Sequence, residues 1–171
     1  MPERPQLTLS TVTPEGVADA RTLLLTEYDR EGFYVHTDAR SRKVADIAAN
    51  PGVAITLLWP NFTRQLVVQG RAEIAPDAEL AVAYERRSPY LKQLAWLNSI
   101  EFAQLPLEER VAQWSAFQAE HDGQFEQPFT WIGFLIRPTR MTFWGSNPDT
   151  ASRRAEYTLV DGAWRIGYLA G

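Results

Sequence analysis

The chain has 171 residues, 45% of them hydrophobic and 22% charged, a composition that excludes a wholly disordered polypeptide and is long enough to bury one core. Its net charge of -4 gives no general pull toward nucleic acid or an anionic membrane, so any phosphate site must be a local cluster of cations. With no Cys there is no disulfide, no thiolate-held metal and no thiol nucleophile.

The opening Met1-Pro-Glu-Arg-Pro5 has no apolar signal core, and no apolar run is long enough to span a bilayer, so the expectation is a cytoplasmic protein with no membrane partner. Leu7 to Val12 alternates as a strand, and Thr13-Pro-Glu-Gly16 turns it into a second β-rich run, Val17 to Thr26. Asp29-Arg-Glu-Gly32 makes another turn before Phe33 to Thr37, aromatic and β-branched enough for a third strand. Ser41 is a suitable N-cap for a short helix, Arg42 to Ala49, whose Val44, Ile47 and Ala48 lie on one face, and Asn50-Pro51 ends it. Strands Val53 to Trp59 and Gln65 to Ile74 follow, joined by a short loop. Ala78 to Arg87 and Leu107 to Glu120 then carry apolar residues at helical spacing, with Pro89 and Pro106 as punctuation. Strands resume at Trp131 to Ile136, Met141 to Trp144, Glu156 to Val160 and Trp164 to Leu169, the last two joined by the Asp161-Gly162 turn. The order predicts an α+β antiparallel fold: one domain over 1-171 with a helical insertion at about 76-122.

Ser41, Arg42 and Lys43 place a hydroxyl, a forked guanidinium and an ammonium at a helix start, a donor set that suits a phosphate monoester; alone they read as a cap followed by solvated cations. Arg21, in a strand otherwise made of Leu and Thr, is costly to bury unless paired, so it needs an anion or an open face. Gln65 can both donate and accept, and read alone is an ordinary strand Gln. His36 and His121 are too few for a metal set and read as strand packing and a helix-end cation, so no metal is expected. No basic stripe accompanies the six Trp residues, which argues against nucleic acid.

Taken in order, Ala20-Arg-Thr-Leu-Leu-Leu25, Thr37-Asp-Ala-Arg-Ser-Arg-Lys43, Asn50-Pro51, Trp59 with Arg64-Gln65, Gly70-Arg-Ala-Glu73, Trp131-Ile-Gly-Phe134, Phe143-Trp-Gly145 and Trp164-Arg-Ile166 resemble the pyridoxamine 5'-phosphate oxidase family. The resemblance runs from about Leu7 to the C-terminus. It implies a six-stranded antiparallel split β-barrel with flanking helices, a homodimer, and FMN sites at the dimer interface. It further implies Arg21, Thr37, Ser41, Arg42 and Lys43 at the FMN phosphate and ribityl chain, and Gln65, Trp144 and Arg154 at the flavin ring.

The substrate side departs from the family. Thr26 stands for a Lys, Ser88 for the Arg before Pro, Lys92 for a Ser, and Thr150-Ala-Ser-Arg-Arg154 keeps only the last Arg of Arg-x-His-Asp-Arg. Asn98-Ser-Ile-Glu101 replaces a Ser-x-Gln-Ser segment, while Tyr84 is kept. Tyr84, Arg87 and Lys92 remain as candidate substrate contacts, with Arg153 a further cation nearby in sequence, and no catalytic residue is assigned. The expectation is an FMN-dependent oxidoreductase that takes a hydride from a small molecule and returns the electrons to oxygen. The alternatives are a flavin-binding protein without turnover, or a pyridoxamine 5'-phosphate oxidase with a rearranged substrate site.

Overall fold

The structure, a computed structural model, describes residues 5-171 apart from the side chain of Phe62; Met1 to Arg4, the start of the stretch read as lacking a signal core, lie outside the described residues. Strands β1 (Gln6–Val12), β2 (Ala18–Leu24), β3 (Glu27–Tyr28) and β4 (Phe33–Asp38) precede helix α1 (Arg42–Ala49). β5 (Gly52–Leu58) and β6 (Arg64–Ile74) follow, then α2 (Asp77–Glu85), α3 (Pro89–Leu97), α4 (Ile100–Gln104) and α5 (Leu107–Glu120), and finally β7 (Trp131–Gly145), β8 (Arg153–Val160) and β9 (Ala163–Ala170). Hydrogen bonding orders the strands β2-β1-β5-β6-β7-β4-β3, with β8 also on β7 and β9 on β8. Six long strands therefore make the main sheet, which curls as an antiparallel half-barrel in an α+β fold; β3 is a two-residue edge, and β8 and β9 form a hairpin off β7.

Alternation explains the core. Leu9 pairs with Ile55 and Ile55 with Val68, so the three share one face of the sheet, and each is 0% exposed. Such side chains each contribute about 1.5-3 kcal/mol by leaving water. The run expected from Val17 to Thr26 stops at Leu24, and the two strands expected at Trp131 to Ile136 and Met141 to Trp144 are one strand, β7, running through Pro138. Proline donates no hydrogen bond, and continuity is kept by a register shift: Gln69 pairs with Arg140 but Gly70 with Pro138, leaving Thr139 as a bulge. A Cβ at Gly70 would collide with the Arg137 carbonyl oxygen, so the bulge requires glycine there. Asp161 and Gly162 have φ of 50° and 78°, the left-handed pair that suits a tight β8–β9 turn.

Pro89 does more than punctuate. It occupies the first turn of α3, capped by Ser88, whose Oγ accepts from the Leu91 N–H at 3.3 Å; Ser99 caps α4 in the same way, accepting from Phe102 at 3.1 Å. The chain divides into two compact units, one of the described residues through Val35 with Arg42–Ile74 and Phe134–Gly171, the other of His36–Ser41 and Ala75–Gly133. The second unit centres on Leu80, Tyr84 and Trp131. His36 is buried there and stacks on Trp131 with ring centroids 5.2 Å apart, as a packing residue does. Among the described residues no helix is long and apolar enough to cross a membrane.

Candidate functional site

In the first unit the cations gather where α1 meets β1 and β2. Arg21 lies opposite Leu9 and so faces the core side of the sheet. Its Nη1 donates to Thr11 Oγ1 at 2.7 Å and to the Leu9 carbonyl at 3.3 Å, and its Nη2 to Asp19 Oδ2 at 2.7 Å and Asp46 Oδ2 at 3.3 Å. Thr11 donates its hydroxyl to Asp46 at 2.7 Å. The pairing that Arg21 needs is therefore supplied by two carboxylates of its own chain. This network also turns α1: Asp46 is buried while Ala48 is exposed, because Arg21 and Thr11 give the carboxylate the partners that burial demands. Asp46→Ala is expected to destabilise the fold by about 3 kcal/mol, the low end for breaking a buried ion pair. Thermal unfolding monitored by circular dichroism checks it, with a fall of roughly 6-12 °C expected for a chain of this size.

Arg42 and Lys43 form the first turn of α1, which contains no acidic residue. The Arg42 side chain is 87% exposed, and its Nη2 lies 3.9 Å from Asp19 Oδ2. An acid-free helix start with two cations is a fitting place for a phosphate. In the second unit, Thr37 Oγ1 and Ser41 Oγ lie 3.3 Å apart. Beside them Arg40 grips Asp38 with two bonds of 3.0 and 2.7 Å; burial alone would raise the Asp38 carboxyl, and Arg40 holds it below the usual range. Ser41, Arg40, Asn98, Ser99 and Glu101 line a hollow of about 280 Å³ in that unit.

A different group forms on β6, β7 and β8. Gln65 pairs with Trp144 and Trp144 with Arg154, so the three side chains stand in one rung and on one face of three adjacent strands. Trp144 is fixed by donating its indole N–H to Ser152 Oγ at 2.9 Å. Gln65, Gln69, Arg140, Thr142, Arg154 and Glu156 line a hollow of about 230 Å³ on this face. Pockets that enclose a drug-sized ligand run to about 300-1,000 Å³, so this hollow falls short of that range. Register fixes its direction: Arg21, Leu9, Ile55 and Val68 lie on one face, and Gln65, three residues before Val68, lies on the other.

The candidate substrate residues have partners within the second unit. Tyr84 is 1% exposed, donates its hydroxyl to the Glu126 carbonyl at 2.7 Å, and has its phenol pushed up by burial. Arg87 donates to the Leu91 carbonyl at 3.2 and 2.9 Å and lies 4.3 Å from the Trp131 ring centroid. Lys92 pairs with Glu85 at 3.2 Å. Sequence reasoning missed Asp19, Asp46 and Thr11. Asp19 was findable, since residues two apart in a strand share a face; nothing local points to Asp46.

A family model described as pyridoxamine 5'-phosphate oxidase matches residues 1-127, and one described as the pyridoxine 5'-phosphate oxidase C-terminal dimerisation region matches 131-171. The pyridoxine/pyridoxamine 5'-phosphate oxidase of Cupriavidus pinatubonensis is 33% identical, over 99% of this chain and 81% of that protein. That of Thermobifida fusca is 35% identical, over 96% of this chain and 78% of that protein. Among solved structures, PhzG from Burkholderia lata, in complex with tetrahydrophenazine-1-carboxylic acid, superposes with a TM-score of 0.86 at 22% identity, covering 98% of this chain and 82% of that one. A pyridoxamine 5'-phosphate oxidase-related, FMN binding protein from Nostoc punctiforme gives 0.78 at 19%, covering 98% and 87%. At these identities the two structures speak to the fold alone.

Proposed function

The chain belongs to the pyridoxamine 5'-phosphate oxidase family, and we propose that it is a cytoplasmic FMN-dependent oxidoreductase, a homodimer holding each cofactor between its two copies. The observation that carries this reading is the rung Gln65–Trp144–Arg154, on the face of the sheet opposite to Arg21 and the buried side of α1. One flavin mononucleotide that meets both a cationic phosphate site and this rung is best supplied by two copies of the chain, each giving half. The donor chemistry fits: Arg42 and Lys43 match a dianionic phosphate, Gln65 can donate and accept at the ring edge, and Trp144 offers a flat apolar flank. Bound FMN would supply the hydride acceptor and pass the electrons on to oxygen. The chain's own part is to orient the ring, with Arg154 holding negative charge at its edge. A yellow protein with about one flavin per chain, bleached by a small reductant without air and recoloured by air, is the expected result. Failure to take up FMN would sink the proposal.

The C-terminal hairpin supports the dimer. Phe143, Tyr157, Leu159, Trp164, Ile166 and Tyr168 share one face of β7, β8 and β9 by register, and all except the half-buried Tyr157 are 38-58% exposed. Apolar surface of this extent marks a contact, and it falls within the residues matched by the dimerisation model. Sedimentation is expected to give twice the 19.4 kDa chain mass. Ile166→Asp is expected to weaken the dimer by at least about 2 kcal/mol and release FMN with it. A monomer that keeps a full complement of FMN would overturn the shared site.

A second reading, flavin binding without turnover, is favoured by the engagement of the substrate candidates within the chain. Single-turnover reduction separates the two.

A further inference from the structure

Asp19 sits where an anion belongs. Its Oδ2 lies 2.7 Å from the Arg21 guanidinium and 3.9 Å from that of Arg42, one carboxylate oxygen between two guanidinium groups. Asp46, the other carboxylate on Arg21, is 6% exposed at its side chain and fastened by Thr11. Asp19 is different: its side chain is 30% exposed, it lies at the open side of the cluster, and Arg42 beside it is 87% exposed. The Ala20 N–H and then the Arg21 charge hold its carboxyl below the usual range, so it is an anion at any working pH.

We propose that Asp19 is a built-in competitor for the cofactor's phosphate, occupying the position between Arg21 and Arg42 and setting FMN affinity by the cost of displacing it. This rests on the reading of Arg21 and Arg42 as phosphate ligands. A phosphate dianion near both guanidiniums must either move the Asp19 carboxylate away or accept its repulsion. Either way the phosphate pays a cost that the rest of the flavin does not, and Asp19 therefore narrows the preference for FMN over riboflavin.

The test is fluorescence titration of the full-length protein with FMN and with riboflavin, for wild type, Asp19→Asn and Asp19→Glu. Asn keeps the shape and the acceptor for the Ala20 N–H while removing the charge, and it is expected to tighten FMN binding on the order of tenfold, the equivalent of one modest charge interaction. Riboflavin affinity is expected to stay unchanged in both variants, and Asp19→Glu, which keeps the charge, is expected to bind FMN as wild type does. Equal or weaker FMN binding by Asp19→Asn, or tightening by Asp19→Glu, overturns the inference while wild-type binding still upholds the flavin reading. A wild type that takes up neither ligand brings down both.

Discussion

Removing both cations from the first turn of α1, with Arg42→Ala and Lys43→Ala together, is expected to weaken FMN binding by about two to four orders of magnitude, since charge-assisted contacts are each worth about 1.5-3 kcal/mol. The fold is expected to survive. Arg42 is 87% exposed, and losing cations at the positive end of a helix dipole costs the apo protein little. Riboflavin is the internal control, because it carries the same ring without the phosphate, and its affinity is expected to be indifferent to both substitutions. The comparison needs only flavin fluorescence against wild type and the double variant. Equal losses for the two ligands would show that the residues act through the fold; no loss for either would remove the phosphate assignment.

Where local chemistry decides the structure, the sequence was a sufficient guide. Helix α1 runs over Arg42–Ala49 as its Ser41 start and Asn50-Pro51 stop predict, and β6 ends at Ile74 where the apolar alternation ends. Asp161-Gly162 turns as its backbone freedom demands. Where a distant partner decides, the sequence was silent. The inward turn of Asp46 depends on Thr11 and Arg21, which no helical period can reveal. α3 was hidden because Pro89 reads equally as an end or as a first turn, and only the Ser88 cap tells them apart. The candidate site divides along the same line. Gln65, Trp144 and Arg154 were each readable from a family motif, but that they form one rung, facing away from Arg21, follows from strand register, which a sequence does not state.

Pyridoxamine 5'-phosphate is expected to be a poor substrate, with a specificity constant well below the ordinary enzyme range that begins at about 10⁴ M⁻¹s⁻¹. Four groups that would grip or handle a phosphorylated substrate in the family are replaced, at Thr26, Ser88, Thr150 and Ser152, and three of the replacements have other work. Thr26 donates its hydroxyl to the Tyr34 carbonyl at 2.7 Å, Ser88 caps α3, and Ser152 accepts the Trp144 indole N–H at 2.9 Å. The cations that could stand in are engaged as well: Arg87 with the Leu91 carbonyl, Lys92 with Glu85, and Arg153 over the Tyr168 ring at 4.3 Å. Each missing charge-assisted contact forfeits about 1.5-3 kcal/mol, and two such losses already lower the rate by two orders of magnitude or more. The deficit should be specific to the phosphate, so a substrate of similar ring size without one is expected to lose far less. Steady-state oxidase assays with both compounds are enough to decide. Turnover of pyridoxamine 5'-phosphate at 10⁴ M⁻¹s⁻¹ or above would mean that Arg87, Lys92 or Arg153 leaves its partner to bind the phosphate, and substituting each to Ala in turn would identify which, by the one that abolishes the preference.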